Sequence, residues 1–398
     1  MTPTTRILHL IHHDDQGGAP VAMVHQLRYF AGKCENFAVF GRGTNGPGRI
    51  ETWCKESGAS HAMPWLGNKL LLPIALLQTW RIIRQWRPDL ILLYGQWGAP
   101  VGALAAWLAG ARRCIYNSQW PAYYQDFSPV KAAINFLAEA VPARICRRVI
   151  ALSPGNFNQY FIRGWDMDPA TGAPSGKLVL LPNCTDTASP SRESVELWRN
   201  QWNWGLRTYT APGAGETASA VHVVSLGRLV PQKRMDWLMR AWAMRKTDAP
   251  KAHLWIVGGG DVLRYRELAR QLGIADTCTL TGFETDGWKR LAAADIFALT
   301  SRSEGLPFVV IEAMAAGIPT VASKVDGIEG TVRDGLDGFL IPPTDLSAFA
   351  AALERLIADA ALRQEMGTNA RAQSRLYECS TVLPRYEALY DEVLNEAV

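Results

Sequence analysis

The sequence lacks an apolar run long enough to cross a membrane. Its longest apolar stretches reach about a dozen residues, such as PVGALAAWLAGA at 100–111, whereas a spanning helix needs about 18 or more. The N-terminus, MTPTTRILHLIHHDD, also lacks the basic lead and apolar block of a secretory signal. We therefore predict a cytoplasmic protein, with a peripheral position on the inner face of the cytoplasmic membrane left open as an alternative.

Cysteines are few, odd in number at seven, and without CxxC spacing, which favours reduced thiols. The other candidate for a metal site is the HHDD stretch at 12–15. Two adjacent histidines at the end of a strand should point to opposite faces, which argues against joint ligation. We predict no metal there, and we expect His12 or His13 to line the cleft beside the Gly-Gly turn that follows.

A dense basic cluster and a recognisable nucleic-acid module are both missing, so we predict no nucleic-acid partner. The net charge of +4 is nevertheless uneven. Residues 1–190 hold 18 Lys and Arg against 11 Asp and Glu, whereas residues 191–398 hold 23 against 26. The basic first half indicates an anionic partner such as phosphate groups or an acidic membrane surface.

Apolar runs alternate with helix-like stretches in both halves of the chain, which indicates two doubly wound parallel sheets. The first half contains predicted strands at 6–11, 36–43, 88–95, 146–153 and 177–183, with helices at 19–32 and 70–86. The second half contains predicted strands at 220–229, 253–260, 277–283, 295–301, 319–323 and 338–343. Between them, residues 184–220 are rich in Ser, Thr, Gly, Pro and Trp, with one helix around ESVELWRNQW.

The pattern predicts an α/β protein with two Rossmann-like domains. We place an N-terminal domain at 1–190, a linker at 191–219 and a C-terminal domain at 220–375. The final helices, about 376–398, are predicted to cross back onto the first domain.

Two carboxylates mark the stretch LTSRSEGLPFVVIEAMAAGIPTVAS at 299–323. Pro307 suits the first turn of a helix and Gly317 suits its end. This places Glu304 in the loop before the helix, at the carboxyl edge of the sheet, where open α/β folds bind ligands. Eight helical residues rise about 12 Å, too far for a glycosidase pair at about 5–5.5 Å. We expect Glu304 and Glu312 to contact different hydroxyl-bearing parts of one ligand; a capping acid and a solvated acid are the structural alternative.

A second stretch, SLGRLVPQKRMDWLMRA at 225–241, places Arg228 and Lys233 in the loop after a strand. A guanidinium and an ammonium five residues apart can hold a diphosphate without metal. Solvated surface charges are the alternative. The glycine-rich turn VGGGD at 257–261 is of the same kind.

Together these stretches resemble the retaining nucleotide-sugar glycosyltransferases of family 4, the glycogen-synthase-like group 1 enzymes, which have the GT-B fold of two Rossmann-like domains facing a central cleft. The resemblance covers most of the second half through GRLVPQKRMDWLMRA, WIVGGGD, LTGF, ADIFALTSRSEGLPFVVIEAMAAGIPTVAS and RDGLDGFLIPPTDLSAFAAAL. The first half is similar more loosely, through QGGAP, RPDLILLYGQ, VIALSPGN and LLPNC.

The resemblance implies a role for each matching residue. Catalytic roles fall to Arg228 and Lys233 on the donor diphosphate and to Glu304 on the donor sugar. Donor-binding roles fall to Gly17, Gly18, Gly282, Phe283, Gly305, Leu306 and Glu312, the last on the ribose hydroxyls. No metal and no cofactor are implied, because a donor phosphate oxygen is thought to take the acceptor proton on the same face of the sugar.

The sequence departs from the family in two places. Where many members have a histidine, RRCIYNSQWP offers Gln119 or Asn117; Gln119 can donate a hydrogen bond but cannot carry charge. The usual Gly-Gly-x-Pro-Glu loop is DGIEG at 326–330, where we expect an altered shape but not lost binding. We also predict acceptor contacts from Gln119, Trp120 and Tyr123, since aromatic rings offer apolar faces to sugars.

The stretch LLLPIALLQTWRIIRQWR places Arg81, Arg84 and Arg87 beside Trp80 and Trp86. Such a helix can dock on an anionic membrane surface. An ordinary core-packed helix with extended arginines is the alternative.

The predicted function is transfer of a hexose from a nucleotide sugar to a saccharide or lipid-linked saccharide, in cell-envelope or extracellular polysaccharide biosynthesis. Two alternatives stay open. One is a GT-B phosphorylase or synthase that acts on a soluble sugar or sugar phosphate. The other is a catalytically silent sugar-nucleotide-binding partner of another transferase, which the missing histidine favours.

Overall fold

Two compact α/β units make up the chain, each described here by itself. The computed structural model describes residues 1–14, 17–41, 48–63, 71–119, 129–167, 173–187, 189–202, 204, 220–245 and 251–397. The first unit is Met1–Cys184 with Cys379–Val398, and the second is Thr185–Glu378. Among the described helices, none combines the length and the apolar character that crossing a membrane requires.

The first unit contains a parallel sheet with the strand order β3-β2-β1-β4-β5-β6-β7. Its strands are β1 (Arg6–Ile11), β2 (Glu35–Phe40), β3 (Ser60–Ala62), β4 (Leu90–Tyr94), β5 (Cys114–Asn117), β6 (Arg148–Ala151) and β7 (Leu178–Leu180). Its helices are α1 (Gly18–Phe30), α2 (Arg49–Ser57), α3 (Leu72–Trp86), α4 (Gly98–Ala109), α5 (Pro129–Ile145), α6 (Pro154–Ile162) and, after the chain returns, α14 (Cys379–Asn395).

The second unit contains a parallel sheet with the order β10-β9-β8-β11-β12-β13. Its strands are β8 (Val221–Leu226), β9 (Ala252–Val257), β10 (Cys278–Gly282), β11 (Ile296–Leu299), β12 (Thr320–Ser323) and β13 (Gly338–Ile341). Its helices are α7 (Arg192–Gln201), α8 (Met235–Ala243), α9 (Val262–Gln271), α10 (Gly287–Ala293), α11 (Phe308–Ala315), α12 (Leu346–Ala358) and α13 (Ala360–Ser374).

The predicted strands and helices are confirmed to within three residues at either end. The central strands are buried along their whole length: LILLY of β4 and IFAL of β11 have no exposed residue, as is usual for strands of a parallel sheet. The short strands β3 and β5 were not among the predicted strands, because SHA and CIYN are too short to show a period of two.

In each sheet the strand order reverses at one point. The chain runs from β1 through β2 to β3 on one side and returns to β4 beside β1. In the second unit it runs from β8 through β9 to β10 and returns to β11 beside β8. At such a switch point the loops after the two neighbouring strands diverge and leave a crevice that binds ligands. The loops after β1 and β4, and those after β8 and β11, are therefore where ligand-binding residues belong.

A buried polar network ties α1 and α14 to the sheet of the first unit. The hydroxyls of Tyr94 and Tyr390 both donate to Oε1 of Gln26, at 2.7 and 2.5 Å. His9 contacts the Tyr94 hydroxyl through Nδ1 and Asn36 through Nε2. Burial lowers the pKa of His9 to about 4, so the imidazole is neutral at physiological pH. These bonds satisfy polar groups that would otherwise be costly to bury.

Apolar side chains are exposed on three adjacent helices of the first unit, where α3 packs on α4 and α4 packs on α5. They are Ile74 and Leu77 of α3, Leu104, Trp107 and Leu108 of α4, and Val130, Ile134 and Leu137 of α5. We call these residues the apolar face. Trp80 and Trp86 pack partly buried against the core, as the alternative of a core-packed helix expects. Arg81, Arg84 and Arg87 are exposed.

Candidate functional site

Lys233 lies in the loop between β8 and α8, in a 3₁₀ turn formed by Pro231–Lys233. The turn ends because Arg234 adopts a left-handed conformation with φ +49°, which costs a non-glycine residue about 1 kcal/mol or more. Thr300 stabilises that conformation, since its hydroxyl lies 3.0 Å from the carbonyl oxygens of both Lys233 and Arg234. The position of the lysine is therefore fixed by a residue that follows β11.

Arg234 supports the same loop from the other side. Its guanidinium donates to the carbonyl oxygen of Pro343 at 2.6 Å and stacks over the ring of Trp237. Burial, with the charge of Arg302 nearby, lowers the pKa of the Arg234 guanidinium, although arginine stays charged at any ordinary pH. Arg234 is thus a positioning residue, which the sequence analysis did not identify.

Glu304 lies in the loop between β11 and α11 and pairs directly with the lysine. The Nζ of Lys233 donates to Oε1 of Glu304 at 2.6 Å, and the two side chains are 15% and 7% exposed. Gln232 joins the same two loops through two hydrogen bonds. Its side-chain Nε2 donates to the carbonyl oxygen of Ser303 at 2.7 Å, and its backbone carbonyl oxygen accepts from the backbone N–H of Arg302 at 2.9 Å. Three contacts therefore hold the lysine and the glutamate together at the switch point of the second sheet.

Glycines let the loops after β8, β9 and β10 approach one another closely. A Cβ on Gly258 would lie 1.9 Å from the carbonyl oxygen of Gly227, and one on Gly260 would lie 2.7 Å from Cβ of Leu229. The N–H of Gly258 donates to the carbonyl oxygen of Gly282 at 2.8 Å. The VGGGD turn thus brings the loop of Arg228 next to Gly282 and Phe283.

The loop DGIEG supports Glu304 from a third direction. A Cβ on Gly327 would lie 2.3 Å from the carbonyl oxygen of Glu304 and 2.5 Å from that of Gly305. Only glycine fits at 327 without moving the glutamate loop. The sequence shows a glycine in this loop, but the spacing of residues does not indicate that this glycine packs against the backbone of Glu304.

The other predicted residues of the second unit occupy the same loops. Arg228 is exposed after β8, Phe283 is 56% exposed after β10, and Gly305 and Leu306 are buried beside Glu304. Glu312 lies in α11 and is partly buried. Pro307 is the N-cap residue of α11, which begins at Phe308. The prediction that Glu304 lies in the loop before this helix is confirmed. The rise of about 12 Å, which treated all eight residues as helix, does not apply because residues 304–307 are loop.

In the first unit, Gly17 and Gly18 lie where α1 begins after β1, at the switch point of that sheet. The argument that adjacent histidines point apart was wrong: the rings of His12 and His13 lie 3.7 Å apart between centroids, because both follow the end of β1. Asp14 of the same stretch caps α2, since its carboxylate accepts from the N–H groups of Ile50 and Glu51 at 3.0 and 2.8 Å.

The two substitutes for the family histidine contact each other at the end of β5, whose last residue is Asn117. Nε2 of Gln119 donates to Oδ1 of Asn117 at 2.7 Å, and Asn117 is buried. Gln119 is partly exposed. The predicted acceptor residues Trp120 and Tyr123 lie outside the described residues.

The arrangement in the second unit combines an ammonium, a guanidinium, a buried carboxylate and closely packed glycine loops at one sheet edge. Cationic groups placed there attract a diphosphate, and a carboxylate accepts hydrogen bonds from hydroxyl groups. The partners within the protein restrain both charged groups of the ion pair before any ligand binds, which reduces the ordering cost of binding.

Comparison with protein families identifies a match in the second half of the chain. Residues 217–373 match the family model of the glycosyl transferases group 1. The chain is 37% identical over 210 residues to a GDP-mannose-dependent α-(1-6)-phosphatidylinositol monomannoside mannosyltransferase of Mycolicibacterium smegmatis, covering 50% of this chain and 52% of that protein. It is 27% identical over 425 residues to a D-inositol 3-phosphate glycosyltransferase of Streptomyces griseus, covering 98% of this chain and 88% of that protein.

The share of each protein's length that this chain matches differs between the curated relatives and the solved structures. In three of the most similar curated relatives, the chain matches 19, 43 and 52% of the relative's length. The crystal structure of Anabaena Alr3699/HepE in complex with UDP-glucose aligns with a TM-score of 0.78 and 22% identity, covering 97% of this chain and 99% of that one. Residues 217–373 thus match the group 1 glycosyl transferases, and the chain as a whole has the α/β fold of two Rossmann-like domains known as GT-B.

Proposed function

We propose that this protein is a retaining, metal-independent glycosyltransferase of family 4 that transfers a hexose from a nucleotide-diphosphate sugar to a saccharide or lipid-linked saccharide. The product would belong to a cell-envelope or extracellular polysaccharide or glycoconjugate. One observation carries the proposal. Lys233 and Glu304 form a 2.6 Å ion pair at the switch point of the second sheet, in the part of the chain that matches group 1 glycosyl transferases.

Each residue of this pair has a separate role in the proposed reaction. The bond between the sugar C1 and a phosphate oxygen breaks, and negative charge grows on the departing nucleoside diphosphate. Lys233 and Arg228 offset that charge, an electrostatic effect that is usually the largest single contribution to catalysis. Glu304 accepts hydrogen bonds from hydroxyls of the donor sugar and thereby fixes the orientation of C1.

The acceptor hydroxyl forms the new bond to C1 on the face from which the phosphate leaves. Its proton passes to a phosphate oxygen of the departing nucleotide, so that no protein base is required and the anomeric configuration is kept. Glu312, in α11, would bind the ribose hydroxyls, and Phe283 and Gly282 would border the base. Gly305 and Leu306 would contribute backbone contacts beside Glu304. The roles predicted for Gly17, Gly18 and Gln119 stay predictions.

The first test of the proposed function is binding, followed by turnover. UDP, GDP and ADP are compared for their effect on the melting temperature, because a ligand that binds only the folded protein raises it. The sugar nucleotides of the bound base, beginning with UDP-glucose and GDP-mannose, are then assayed for release of nucleoside diphosphate. A proton NMR spectrum of the glycosylated product reports whether the anomeric configuration is retained. No stabilisation by any of the three nucleotides would contradict the proposal.

Glu304→Gln is expected to lower turnover of the nucleotide sugar by about 10²-fold or more, because a neutral amide binds sugar hydroxyls less strongly than a carboxylate. The matched control is Glu354→Gln. Glu354 also forms a 2.6 Å ion pair, with Arg245, and is partly buried, but it lies on α12. We expect the control to retain wild-type turnover. Equal turnover in the two variants would remove Glu304 from the site.

The same assays separate the alternatives. A phosphorylase would need inorganic phosphate or a soluble sugar phosphate for turnover. A silent binding partner would be stabilised by a nucleotide yet release none from any donor, with or without acceptor.

We further propose that the first unit contacts an anionic membrane through the apolar face. Each of its three helices exposes apolar side chains on one side, including Trp107 at 53% and Leu137 at 58%. The acidic residue within these helices, Glu139, is buried, whereas Arg81 and Arg84 are exposed. Apolar side chains beside exposed arginines suit the interface of an anionic bilayer.

Trp107→Glu with Leu137→Glu is expected to reduce co-sedimentation with vesicles that contain anionic lipid by about tenfold or more, since two apolar contacts are replaced by charges of the lipid's own sign. Leu263→Glu is the matched control, because Leu263 is 76% exposed on α9 of the second unit. Binding that does not depend on anionic lipid, or that falls equally in the control, would contradict membrane contact through the apolar face.

A further inference from the structure

Two thiols and an imidazole converge in the first unit, on residues that have no part in the proposed transfer. His25 is on α1, Cys184 is the last residue before the chain enters the second unit, and Cys379 is the first residue of α14 after the chain returns. Nδ1 of His25 lies 3.0 Å from Sγ of Cys379 and 3.7 Å from Sγ of Cys184. The two sulfurs are 2.6 Å apart. We call these residues the thiol–imidazole cluster.

We propose that the thiol–imidazole cluster is a binding site for a soft divalent cation of the zinc class. Its three candidate ligand atoms all lie within 4.8 Å of one another. Thiolate sulfur and imidazole nitrogen are the ligands that zinc prefers. Two thiolates neutralise the charge of a divalent cation, which suits a place where Cys184 and Cys379 are only 5% and 6% exposed. His25 is less buried than the two cysteines, so a cation would reach the cluster from the side of His25.

The 2.6 Å separation of the two sulfurs lies nearer a disulfide than a metal site, but the contacts of the imidazole with both sulfurs favour a metal site. With Zn–S of about 2.3 Å and Zn–N of about 2.0–2.1 Å, tetrahedral ligand atoms stand about 3.5–3.8 Å apart. The two sulfurs would have to separate by about 1.2 Å on that basis. A disulfide would require them to approach to about 2.05 Å and would leave the imidazole without a role. A single cation bound by all three residues would hold Nδ1 of His25 close to both sulfurs, as it is in this structure.

Binding in this form needs no oxidant. Two thiols lose two protons to solvent, the sulfurs become thiolates, and neutral His25 coordinates through Nδ1 with its proton on Nε2. Release of two protons per ion makes the apparent affinity fall by about 100-fold for each pH unit of acidification.

The positions of the ligands in the chain indicate what the cation would do. The whole of residues 185–378 lies between Cys184 and Cys379 in sequence. On the second-unit side, the same two crossing segments pair through the N–H of Thr185 and the carbonyl oxygen of Tyr377, at 2.9 Å. A bound cation would join the two segments within the first unit as well and would attach both to α1. The site would thus stabilise the first unit at the points where the chain leaves and returns.

The test uses the full chain, freed of metal by a chelator under a phosphine reductant and then titrated with Co²⁺, whose thiolate complexes absorb strongly by sulfur-to-metal charge transfer. We expect one equivalent of Co²⁺ to produce this absorption and one equivalent of Zn²⁺ to abolish it. Cys184→Ser and Cys379→Ser should each lose the absorption and weaken binding on the order of 100-fold. His25→Gln should weaken binding while retaining charge transfer. The matched controls Cys34→Ser and Cys278→Ser remove buried thiols elsewhere and should bind as wild type does.

Unfolding measurements on the wild type and on Cys34→Ser provide a second test, which does not depend on whether Cys184→Ser or Cys379→Ser folds. Zn²⁺ should raise the melting temperature of the wild type and of Cys34→Ser, and the increase should shrink between pH 8 and pH 7 as two protons compete. This readout does not involve nucleotide sugars, so it stands whether or not the transfer reaction is correct. Failure to bind one equivalent, or equal binding by Cys379→Ser and Cys34→Ser, would overturn the proposal. So would a thiol count, in denaturant without reductant, of five for the wild type and six for Cys379→Ser, which would assign Cys184 and Cys379 to a disulfide.

Discussion

Replacing Lys233 by alanine is expected to lower kcat/KM for the nucleotide sugar by about 10³-fold. Lys233 is 15% exposed and its Nζ is fixed 2.6 Å from Glu304, so its charge acts in a place that is only partly screened by water. Removing one group that stabilises developing charge costs about 10²–10³-fold. The Glu304 side chain would also lose the ion pair that fixes its position, and this lowers kcat/KM further. Initial rates of nucleoside diphosphate release at limiting donor measure the effect.

The alanine variant also leaves Glu304 without its partner, and this structural effect must be separated from the loss of charge. A buried carboxylate that loses its partner destabilises the fold by about 1–3 kcal/mol. Combining Lys233→Ala with Glu304→Gln should restore part of that stability, because no unpaired charge remains, while turnover stays low. Lys233→Arg keeps the charge and should retain more turnover than alanine.

Lys289→Ala is the control for a lysine outside the predicted site. Lys289 of α10 pairs with Asp286, the N-cap residue of that helix, at 2.7 Å, and the two side chains are 33% and 62% exposed. Exposed pairs of this kind contribute about 0–1 kcal/mol. We expect wild-type turnover and stability. Wild-type turnover in Lys233→Ala, with Lys289→Ala unchanged, would mean that the ion pair at the switch point is structural only.

The sequence predicts the elements of the second unit well because its strands are short apolar runs bounded by glycine, proline or charged residues. IFAL of β11 and TVAS of β12 are examples, and both are fully buried. The sequence does not show the order in which these strands pair in the sheet. Nothing in the runs themselves indicates that β11 returns beside β8, and that neighbour relation places Lys233 and Glu304, 71 residues apart, in contact.

The residues that hold the candidate site in place were harder to predict than its charged groups. Lys233 and Glu304 are conspicuous because charged residues follow apolar strands. Thr300 and Gln232 are ordinary polar residues, and their importance comes from hydrogen bonds to the backbone of another loop. The thiol–imidazole cluster is the extreme case, since His25 and Cys379 are 354 residues apart and no spacing rule connects them.

The segment predicted as a linker gives a further example. Its helix α7 packs against α10, and both lie in the second unit. Arg199 of α7 contacts both carboxylate oxygens of Asp295, at 3.2 and 3.4 Å, and donates to the carbonyl oxygen of Ala293 at 2.8 Å. Asp295 also accepts from the N–H of His222 at 2.8 Å. Composition suggested a linker because the segment shows little strand periodicity, whereas one buried arginine anchors it to the sheet.

Arg199→Leu is therefore expected to destabilise the second unit by about 3–5 kcal/mol, because Asp295 would remain buried without its counter-charge. For a unit of this size the loss corresponds to a fall in melting temperature of about 10 °C. Arg192→Leu, on the same helix, is the control: Arg192 is 88% exposed and pairs only with Glu196 among the described residues, so we expect a loss within about 0.5 kcal/mol.

A second substitution distinguishes the charge effect from a loss of packing. In Arg199→Leu with Asp295→Asn, the amide can still accept from the N–H of His222 and no unpaired charge is buried, so part of the lost stability should return. Arg199→Met, which keeps more of the arginine's unbranched stem, should behave like Arg199→Leu if the charge decides the outcome. Urea unfolding followed by tryptophan fluorescence suits the measurement, because Trp198, Trp202 and Trp204 lie on or next to α7. A cost in Arg199→Leu no greater than in Arg192→Leu would show that α7 does not depend on this ion pair for its place in the second unit.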